Sequence, residues 1–431
     1  MFENLQSTTL SNGTRVVTSA MPGVNSVSVC FSAGMGSHFE KKSEAGWSHF
    51  LEHMVFKGSR KRPTRVEIVR PLERIGGEYN AFTGKVSTCF FARIPAGELG
   101  LAIDILGDMF ANPVIPEAEI EKERAVILEE IKQGHDSAPM FAVQSATSAL
   151  WPDHPRGRPV SGFPETLADV GAEALREFHR IRYSSRGAIV IAAGKVDHKN
   201  FVELVRPFAE ALPTGRAPVG VSASRAKPQQ PLVFNFRPAK QARAVIACRT
   251  FRYKDPRTPA MALLTHILGG GMDSRLFSTI RESNGLAYSV SARSFGDRDS
   301  GMFRVSAGFD ASRVAQGLSI CGSEFRKIAK QPVGTRELED AKASLSGTLL
   351  LAGETSMEQM LCMEDMLQKI GFVETPEQEV AQLKAVTKED IRSLAADLFR
   401  PENFTLSLVL PNDCKADPEK LREAMVNGFN G

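Results

Sequence analysis

The sequence predicts an α+β protein made of two tandem homologous domains, each with a mainly antiparallel sheet and helices packed on one side. Two observations support this prediction. Short apolar strands and amphipathic helices follow one another in both halves of the 431-residue chain. Segment 26–31 also resembles 244–248, and 188–192 resembles 405–410, at nearly equal offsets of about 218 and about 217 residues. Such a constant offset is typical of an internal repeat.

Local patterns justify the elements of the first half in order. Alternating apolar residues and apolar runs predict strands at 14–19, 25–32, twice within 78–95, and at 188–192. Apolar residues at helical spacing, with prolines at two boundaries, predict helices at 45–57, 96–111 and 117–133, and further helices to about residue 208.

Residues 212–230 divide the two halves. This segment is rich in Pro, Gly, Ser and Ala and offers little apolar surface to bury. We therefore expect an N-terminal domain over 1–211, an interdomain linker over 212–230 and a C-terminal homologous domain over 231–431.

Composition narrows the class of protein. Lys and Arg number 53 against 50 Asp and Glu, a formal net charge of +3, which is unlike a strongly basic nucleic-acid binder. No segment reaches the roughly 18 uninterrupted apolar residues of a membrane span, and residues 1–6 lack the features of a secretory signal. We expect a cytoplasmic protein with no membrane or nucleic-acid partner; the alternative is an organelle matrix, after removal of a targeting segment.

The sequence His49-Phe50-Leu51-Glu52-His53 is the strongest chemical signal. On a helix, positions i and i+4 lie about 40° apart on one face, so His49 and His53 can bind one metal ion together. Glu52 falls within the same arc, beside an open coordination position. This H-x-x-E-H order is one of the known zinc-peptidase signatures. The alternative is two histidines near a glutamate with no metal.

A catalytic zinc needs a third protein ligand. The predicted helix 117–133 offers Glu123 and Glu130, which are seven residues apart and therefore share one face. The apolar run 125–128 between them indicates a partly buried helix, where a carboxylate needs a partner. From the residues alone, the alternative that these glutamates form a solvated face stays open.

The motif and its surroundings resemble the pitrilysin and insulin-degrading-enzyme family of zinc peptidases, which includes the mitochondrial processing peptidases. In that family, H-x-x-E-H is followed by a glutamate ligand after about 76 residues, which is the position of Glu130. Further matching segments are Thr9-Leu10-Ser11-Asn12-Gly13, Gly58, Gly76-Gly77, Asn80-Ala81, Asp153-His154-Pro155, Gly157-Arg158-Pro159 and Leu268-Gly269-Gly270-Gly271. One departure is Lys85-Val86, where many relatives have an acidic residue.

The resemblance implies specific roles in the site. It implies one Zn²⁺ per chain on His49, His53 and Glu130, with Glu52 as general base and Glu123 supporting the ligands. In the second half, it assigns Arg281 and Tyr288 to holding the substrate carbonyl and stabilising the oxyanion.

The resemblance also implies how a substrate binds. Asn80 and Ala81, on a predicted edge strand, are expected to bind extended peptide backbone by strand addition.

The resemblance further implies an assembly. Its members look like a clamshell of four such domains, and this chain supplies two, so we expect a homodimer that cleaves short or unfolded polypeptides inside a chamber. Three alternatives remain: a catalytically silent scaffold subunit, a processing subunit that needs a different partner chain, and a binding module that zinc stabilises.

Overall fold

The computed structural model describes residue 2 and residues 4–431. These residues form two compact units, and each unit draws on more than one stretch of the chain. Unit 1 comprises the described residues up to 132, together with 158–221 and 351–375, and unit 2 comprises 133–157, 222–350 and 376–431. No helix in the described part of the chain is long and apolar enough to cross a membrane.

The described strands belong to two sheets. Those of the first sheet are β1 Leu5–Thr9, β2 Arg15–Ala20, β3 Ser26–Ala33, β4 Glu78–Thr83, β5 Thr88–Pro95 and β6 Ala188–Gly194. Those of the second are β7 Leu232–Arg237, β8 Ala242–Thr250, β9 Ala287–Gly296, β10 Gly301–Phe309 and β11 Phe404–Pro411.

Helices surround both sheets. Those of the first half are α1 Trp47–Val55, α2 Arg65–Arg74, α3 Leu99–Ala111, α4 Glu117–Asp136, α5 Ala138–Leu150, α6 Pro164–Leu167, α7 Ala172–Arg182 and α8 His198–Ala209. Those of the second half are α9 Thr258–Gly269, α10 Val314–Lys330, α11 Thr335–Leu351, α12 Ser356–Ile370, α13 Pro376–Ala385, α14 Lys388–Leu398 and α15 Pro418–Asn430, and a π-helical segment spans Phe277–Ser283.

Apart from the additional edge strand β1 of the first, the two sheets share one topology. The first has the strand order β1-β2-β6-β3-β5-β4 and the second β7-β11-β8-β10-β9. In each sheet, the last strand of the repeat lies between two earlier strands. Strand β6 is parallel to β2 and antiparallel to β3. In the same way, β11 is parallel to β7 and antiparallel to β8. The α+β fold with two tandem, mainly antiparallel sheets is therefore confirmed.

Each half of the chain contributes one helix to the sheet of the other half. Most helices pack on one face of the sheet of their own half, as predicted, but α12 packs on the opposite face of β3 and β6, and α5 packs on the equivalent face of β8 and β11. Both faces of the central strands are thereby covered, and strands buried on both sides read as continuous apolar runs. The predicted domains 1–211 and 231–431, with a linker over 212–230, follow the chain order and do not include this exchange. The chain passes from unit 1 to unit 2 between Val221 and Ser222, which lies within the predicted linker.

The contact between α12 and the first sheet is partly polar. The Ser32 hydroxyl donates to the Glu364 carboxylate at 2.6 Å, and the Gln368 amide donates to the Ser32 oxygen at 2.9 Å. Ser28 and Ser356 share a further hydrogen bond of 2.9 Å. Burial raises the pKa of Glu364. Because buried polar groups need partners, these bonds specify how α12 docks.

Candidate metal centre

A buried carboxylate fixes the start of α1, the helix that carries the histidine motif. Gly46 precedes the helix with φ of 93°, which favours glycine. The Glu40 carboxylate accepts hydrogen bonds from the backbone N–H of Gly46 at 2.9 Å and of Ser48 at 2.8 Å. A negative group at a helix N-terminus satisfies free N–H groups and the helix dipole. Burial nevertheless raises the pKa of Glu40.

The other face of α1 fixes its rotation. Phe50, Leu51 and Met54 have no exposed surface and belong to the core of unit 1. Burying these three leaves His49 and His53 together on the opposite side, each with under a fifth of its side chain exposed. The amphipathic pattern of the sequence therefore aims both imidazoles at the same space.

Helix α4 brings a third donor to the two histidines. A carboxylate oxygen of Glu130 lies 3.7 Å from His49 Nε2 and 3.8 Å from His53 Nε2. One ligand atom from each of the three residues lies within 4.8 Å of the others. Two imidazole nitrogens and one carboxylate oxygen form the donor set of a catalytic zinc site, and these separations suit bonds of about 2.0–2.2 Å to a shared ion.

A second glutamate on the same face of α4 orients His53. Glu123 is buried, and its Oε2 lies 3.1 Å from His53 Nδ1. The other oxygen, Oε1, forms an ion pair with the Lys57 ammonium, which is 12% exposed. The carboxylate therefore has a partner at each oxygen, and His53 is held with Nε2 towards Glu130.

Sequence reasoning did not identify Lys57. Lys57 comes four residues after His53, a spacing that places two residues on one face of a helix. This signal is weak because α1 ends at Val55, before Lys57.

His49 has a different environment. Its Nδ1 atom is buried, and among the described residues it has no hydrogen-bond partner. Burial, together with the nearby His53, lowers the pKa of His49 to about 4. The imidazole is therefore neutral near pH 7, which is the form that binds a metal ion.

Glu52 lies beside the cluster with a hydrogen bond from β4. The Thr83 hydroxyl donates to Glu52 Oε2 at 2.5 Å. Burial raises the pKa of Glu52, and the bond from Thr83 partly offsets this shift. A carboxylate with a raised pKa is better matched to proton transfer near neutral pH. Thr83 was not predicted from the sequence; its signal was strand alternation, since Ala81 and Thr83 point to one face.

Asn80 and Ala81 lie on β4, the outer strand of the first sheet. The strand is antiparallel to β5, with Asn80 opposite Phe91 and Ala81 opposite Phe90. The Asn80 side-chain oxygen accepts a hydrogen bond from the Ala81 N–H at 2.9 Å. Within the described residues, no strand pairs with the outer edge of β4, so its backbone groups are available to an added strand.

Arg281 and Tyr288 belong to unit 2, where the structure places them side by side. The Arg281 guanidinium lies 5.2 Å from the centre of the Tyr288 ring and 4.8 Å from that of Phe277. Tyr288 is the unpaired residue of a β-bulge, because the ladder skips from Ala287 to Ser289. Bulges re-aim side chains, and Tyr288 is 77% exposed.

Comparisons with known proteins identify the family of the chain. Residues 15–162 match the model of the insulinase family, peptidase family M16, and residues 169–345 match that of the peptidase M16 inactive domain. A protein of Mycobacterium tuberculosis named as an uncharacterized zinc protease is 35% identical, over 97% of this chain and 96% of its own length. One of Bacillus subtilis with the same description is 30% identical, over 94% of this chain and 98% of its own length.

Solved structures share the fold. A protease from Helicobacter pylori matches with a TM-score of 0.87 and 20% identity, over 95% of this chain and 100% of its own. A peptidase M16 inactive domain from Pseudomonas fluorescens matches with a TM-score of 0.87 and 17% identity, over 96% of this chain and 100% of its own. The family resemblance of the sequence is thus confirmed, and the chain belongs to the insulinase family of peptidases, M16, whose relatives are named zinc proteases.

Proposed function

We propose that the chain is a zinc-dependent endopeptidase that hydrolyses short or unfolded polypeptides. The observation that carries this proposal is the convergence of His49, His53 and Glu130 beside the half-buried carboxylate of Glu52. A zinc ion held by these three residues would supply a Lewis acid for the scissile carbonyl and a water that ionises near neutral pH.

Glu52 is the residue that moves the proton. Its carboxylate accepts a proton from the attacking water as the new C–O bond forms, and the same carboxyl then donates that proton to the amine nitrogen as the C–N bond breaks. Thr83 holds one oxygen through its 2.5 Å hydrogen bond. The second oxygen takes up and returns the proton, and the raised pKa allows the group to act first as base and then as acid.

Glu123 acts as a positioning residue. It fixes the ring of His53 through Nδ1, and Lys57 holds the opposite carboxylate oxygen. A carboxylate bonded to the second nitrogen of a ligating histidine raises the basicity of that histidine and sets its tautomer. Among the described residues His49 has no such support, so the rigidity of the site depends on the pairing between α1 and α4.

Substrate binding is proposed for β4 and for the Arg281–Tyr288 pair. The open edge of β4, at Asn80 and Ala81, can add an extended peptide as a further strand. This mode requires an unfolded or flexible substrate. Arg281 and Tyr288 offer a cation and a phenol to the developing oxyanion. We propose that the active form is a homodimer in which one subunit supplies this pair to the zinc site of the other.

The primary test compares wild type with Glu52→Gln on a quenched unfolded peptide, with zinc content measured on both. We expect cleavage by the wild type, a loss of at least about 10²–10⁴-fold in the variant, and unchanged zinc. Glu129→Gln is a matched control, because Glu129 is an exposed glutamate on α4. Equal activity of wild type and Glu52→Gln would contradict the role of Glu52.

The match of residues 169–345 to an inactive-domain model favours one alternative, a scaffold subunit without activity. The proposed zinc donors, however, lie in the segment that matches the insulinase model. A wild-type protein that binds zinc but cleaves no peptide would support the scaffold function or the need for a different partner chain. Native mass would distinguish these two outcomes. A particle of twice the chain mass of 47.0 kDa is a homodimer and favours the scaffold, whereas a single-chain mass favours a missing partner chain.

A further inference from the structure

The second sheet has an unusual charge composition. Its five strands carry five arginines and no Asp or Glu. The arginines are Arg237, Arg243, Arg249, Arg293 and Arg304. Helix α5, which packs on this sheet, also carries no charged side chain.

Strand alternation and register place all five arginines on one face. Val245, Ala247 and Val409 on this face pack against α5. Arg243 and Arg249 share that face by alternation along β8. Arg304 lies opposite Ala247, Arg293 lies opposite Arg304, and Arg237 follows Asn235, which lies opposite Val409. The other face is the apolar core of unit 2.

Two of the arginines have structural partners next to α5. Arg237 stacks on the Phe141 ring at 3.8 Å and donates to the His135 carbonyl. Arg249 donates to the Leu150 and Lys227 carbonyls. Their role is to anchor α5 and the chain around it.

The other three have no such role. Within the described residues, no ion pair is formed by Arg243, Arg293 or Arg304. Arg293 and Arg304 are directly opposite on neighbouring strands, and like charges in that position destabilise a sheet. Burial and the charge of Arg293 lower the pKa of Arg304. The juxtaposition of Arg293 and Arg304 therefore disfavours folding, so the presence of both residues is not explained by stability.

The surroundings of this pair suit a polypeptide. Strand β9, which carries Arg293, is the edge of the sheet. Phe295, 46% exposed, lies under the Arg304 guanidinium at 5.0 Å. Ser291 and Ser306 face one another on the same side and offer hydroxyl groups. The nearest acidic residues along the chain, Asp297 and Asp299, are paired with Arg156.

We propose that this basic strip, comprising Arg243, Arg293, Arg304, Phe295, Ser291 and Ser306, binds acidic segments of extended polypeptides. The inference rests on the proposed peptidase function and adds a preference for acidic substrates. An acidic side chain between Arg293 and Arg304 would relieve their repulsion, and the planar guanidinium groups suit carboxylates. A peptide, unlike a compact anion, can also pair its backbone with the edge of β9.

The test measures binding of two labelled peptides to the zinc-loaded, full-length Glu52→Gln protein. One peptide alternates Asp and Ser, and the other replaces every Asp by Asn. Arg293→Ser/Arg304→Ser should weaken binding of the acidic peptide about tenfold, equivalent to about 1.4 kcal/mol, and leave the Asn peptide unchanged. Arg293→Lys/Arg304→Lys, which keeps both charges, should retain most of the affinity.

The control variant is Arg74→Ser/Arg336→Ser, which removes the same charge from exposed helix positions. Affinity for the acidic peptide should fall with added salt, more steeply in the parent protein than in the Arg293→Ser/Arg304→Ser variant. Equal binding of the two peptides, or an equal loss in the control variant, would overturn the inference. Preferential binding of single-stranded DNA at the strip would also overturn it.

Cleavage assays separate this inference from the proposed function. They use proteins that retain Glu52, with and without the Arg293→Ser/Arg304→Ser change. An inactive protein that still binds the acidic peptide through Arg293 and Arg304 would refute peptidase activity of this chain as a homodimer and leave the strip in place. An active protein that cleaves acidic and Asn peptides equally well, with or without these arginines, would refute the strip alone.

Discussion

Replacing Glu123 by Gln should weaken zinc binding without removing a zinc ligand. In the structure, Glu123 Oε2 lies 3.1 Å from His53 Nδ1, and Oε1 is paired with Lys57. A glutamine in the same position still accepts one hydrogen bond from His53. It loses the negative charge that makes His53 a stronger donor, and its amide N–H groups point at a cation.

The expected loss has two separable parts. Losing the carboxylate behind a ligating histidine costs about 10–100-fold in metal affinity, equivalent to about 1.4–2.8 kcal/mol. Lys57, 12% exposed, is left without its partner, and an unpaired buried group costs about 1–3 kcal/mol of folding free energy, or more when charged. Adding Lys57→Met to Glu123→Gln should restore folding stability but not zinc affinity.

Zinc affinity is measured by competition with a chromophoric chelator, and folding stability by urea unfolding of the metal-free protein. Glu129→Gln, on the exposed side of α4, controls for the loss of a negative charge. If Glu123→Gln bound zinc within twofold of wild type, the positioning role of Glu123 would be refuted. If the double variant regained zinc affinity, the effect would belong to Lys57 and not to the carboxylate.

Three further predictions concern hydrogen bonds and buried ionisable groups. Thr83→Val should lower kcat and move the acidic limb of the kcat/KM profile to higher pH. The reason is that the hydrogen bond from Thr83 lowers the pKa of Glu52, and the variant loses this bond. Unchanged zinc content is the control. Glu364→Gln should raise Tm at pH 8 more than at pH 4, since its raised pKa makes the charged form costly in the fold; equal shifts would refute this.

His179→Gln should reduce the loss of stability on acidification. Burial lowers the pKa of His179 to about 4, so the unfolded chain, with a pKa near 6.5, binds the extra proton and wild-type stability falls from pH 6.5 to 4. Urea midpoints of both metal-free proteins at pH 7 and 5 measure the difference.

The local parts of the site could be predicted from the sequence because they depend on helical spacing. His49, Glu52 and His53 fall on one arc of α1, and Glu123 and Glu130 fall on one face of α4. The sequence alone could not decide whether the two faces meet. The resemblance to the family supplied that connection, and the structure brings the ligand atoms within 4.8 Å.

The remaining features depend on contacts between distant segments. Thr83 reaches Glu52 because β4 lies beside α1. Strand alternation places Thr83 on the same face as Ala81, but it does not show which helix that face meets. The exchange of α5 and α12 is equally hidden, because an apolar helix face shows that it is buried but not which sheet buries it. Sequence periodicity specifies faces, whereas pairing is set by the whole fold.

The repeat itself explains why one zinc per chain is the expected stoichiometry. Helix α1 connects β3 towards β4, and α9 connects β8 towards β9 at the same place in the second sheet. His266 is the single titratable residue of α9, whose other positions are apolar or small. A lone imidazole cannot provide the three ligands of a catalytic zinc. The two copies of one topology therefore differ in chemistry: the first carries the proposed metal donors, and the second carries Arg281, Tyr288 and the basic strip. About one zinc per chain, lost in Glu130→Gln and retained in His266→Gln, is the outcome that this division requires.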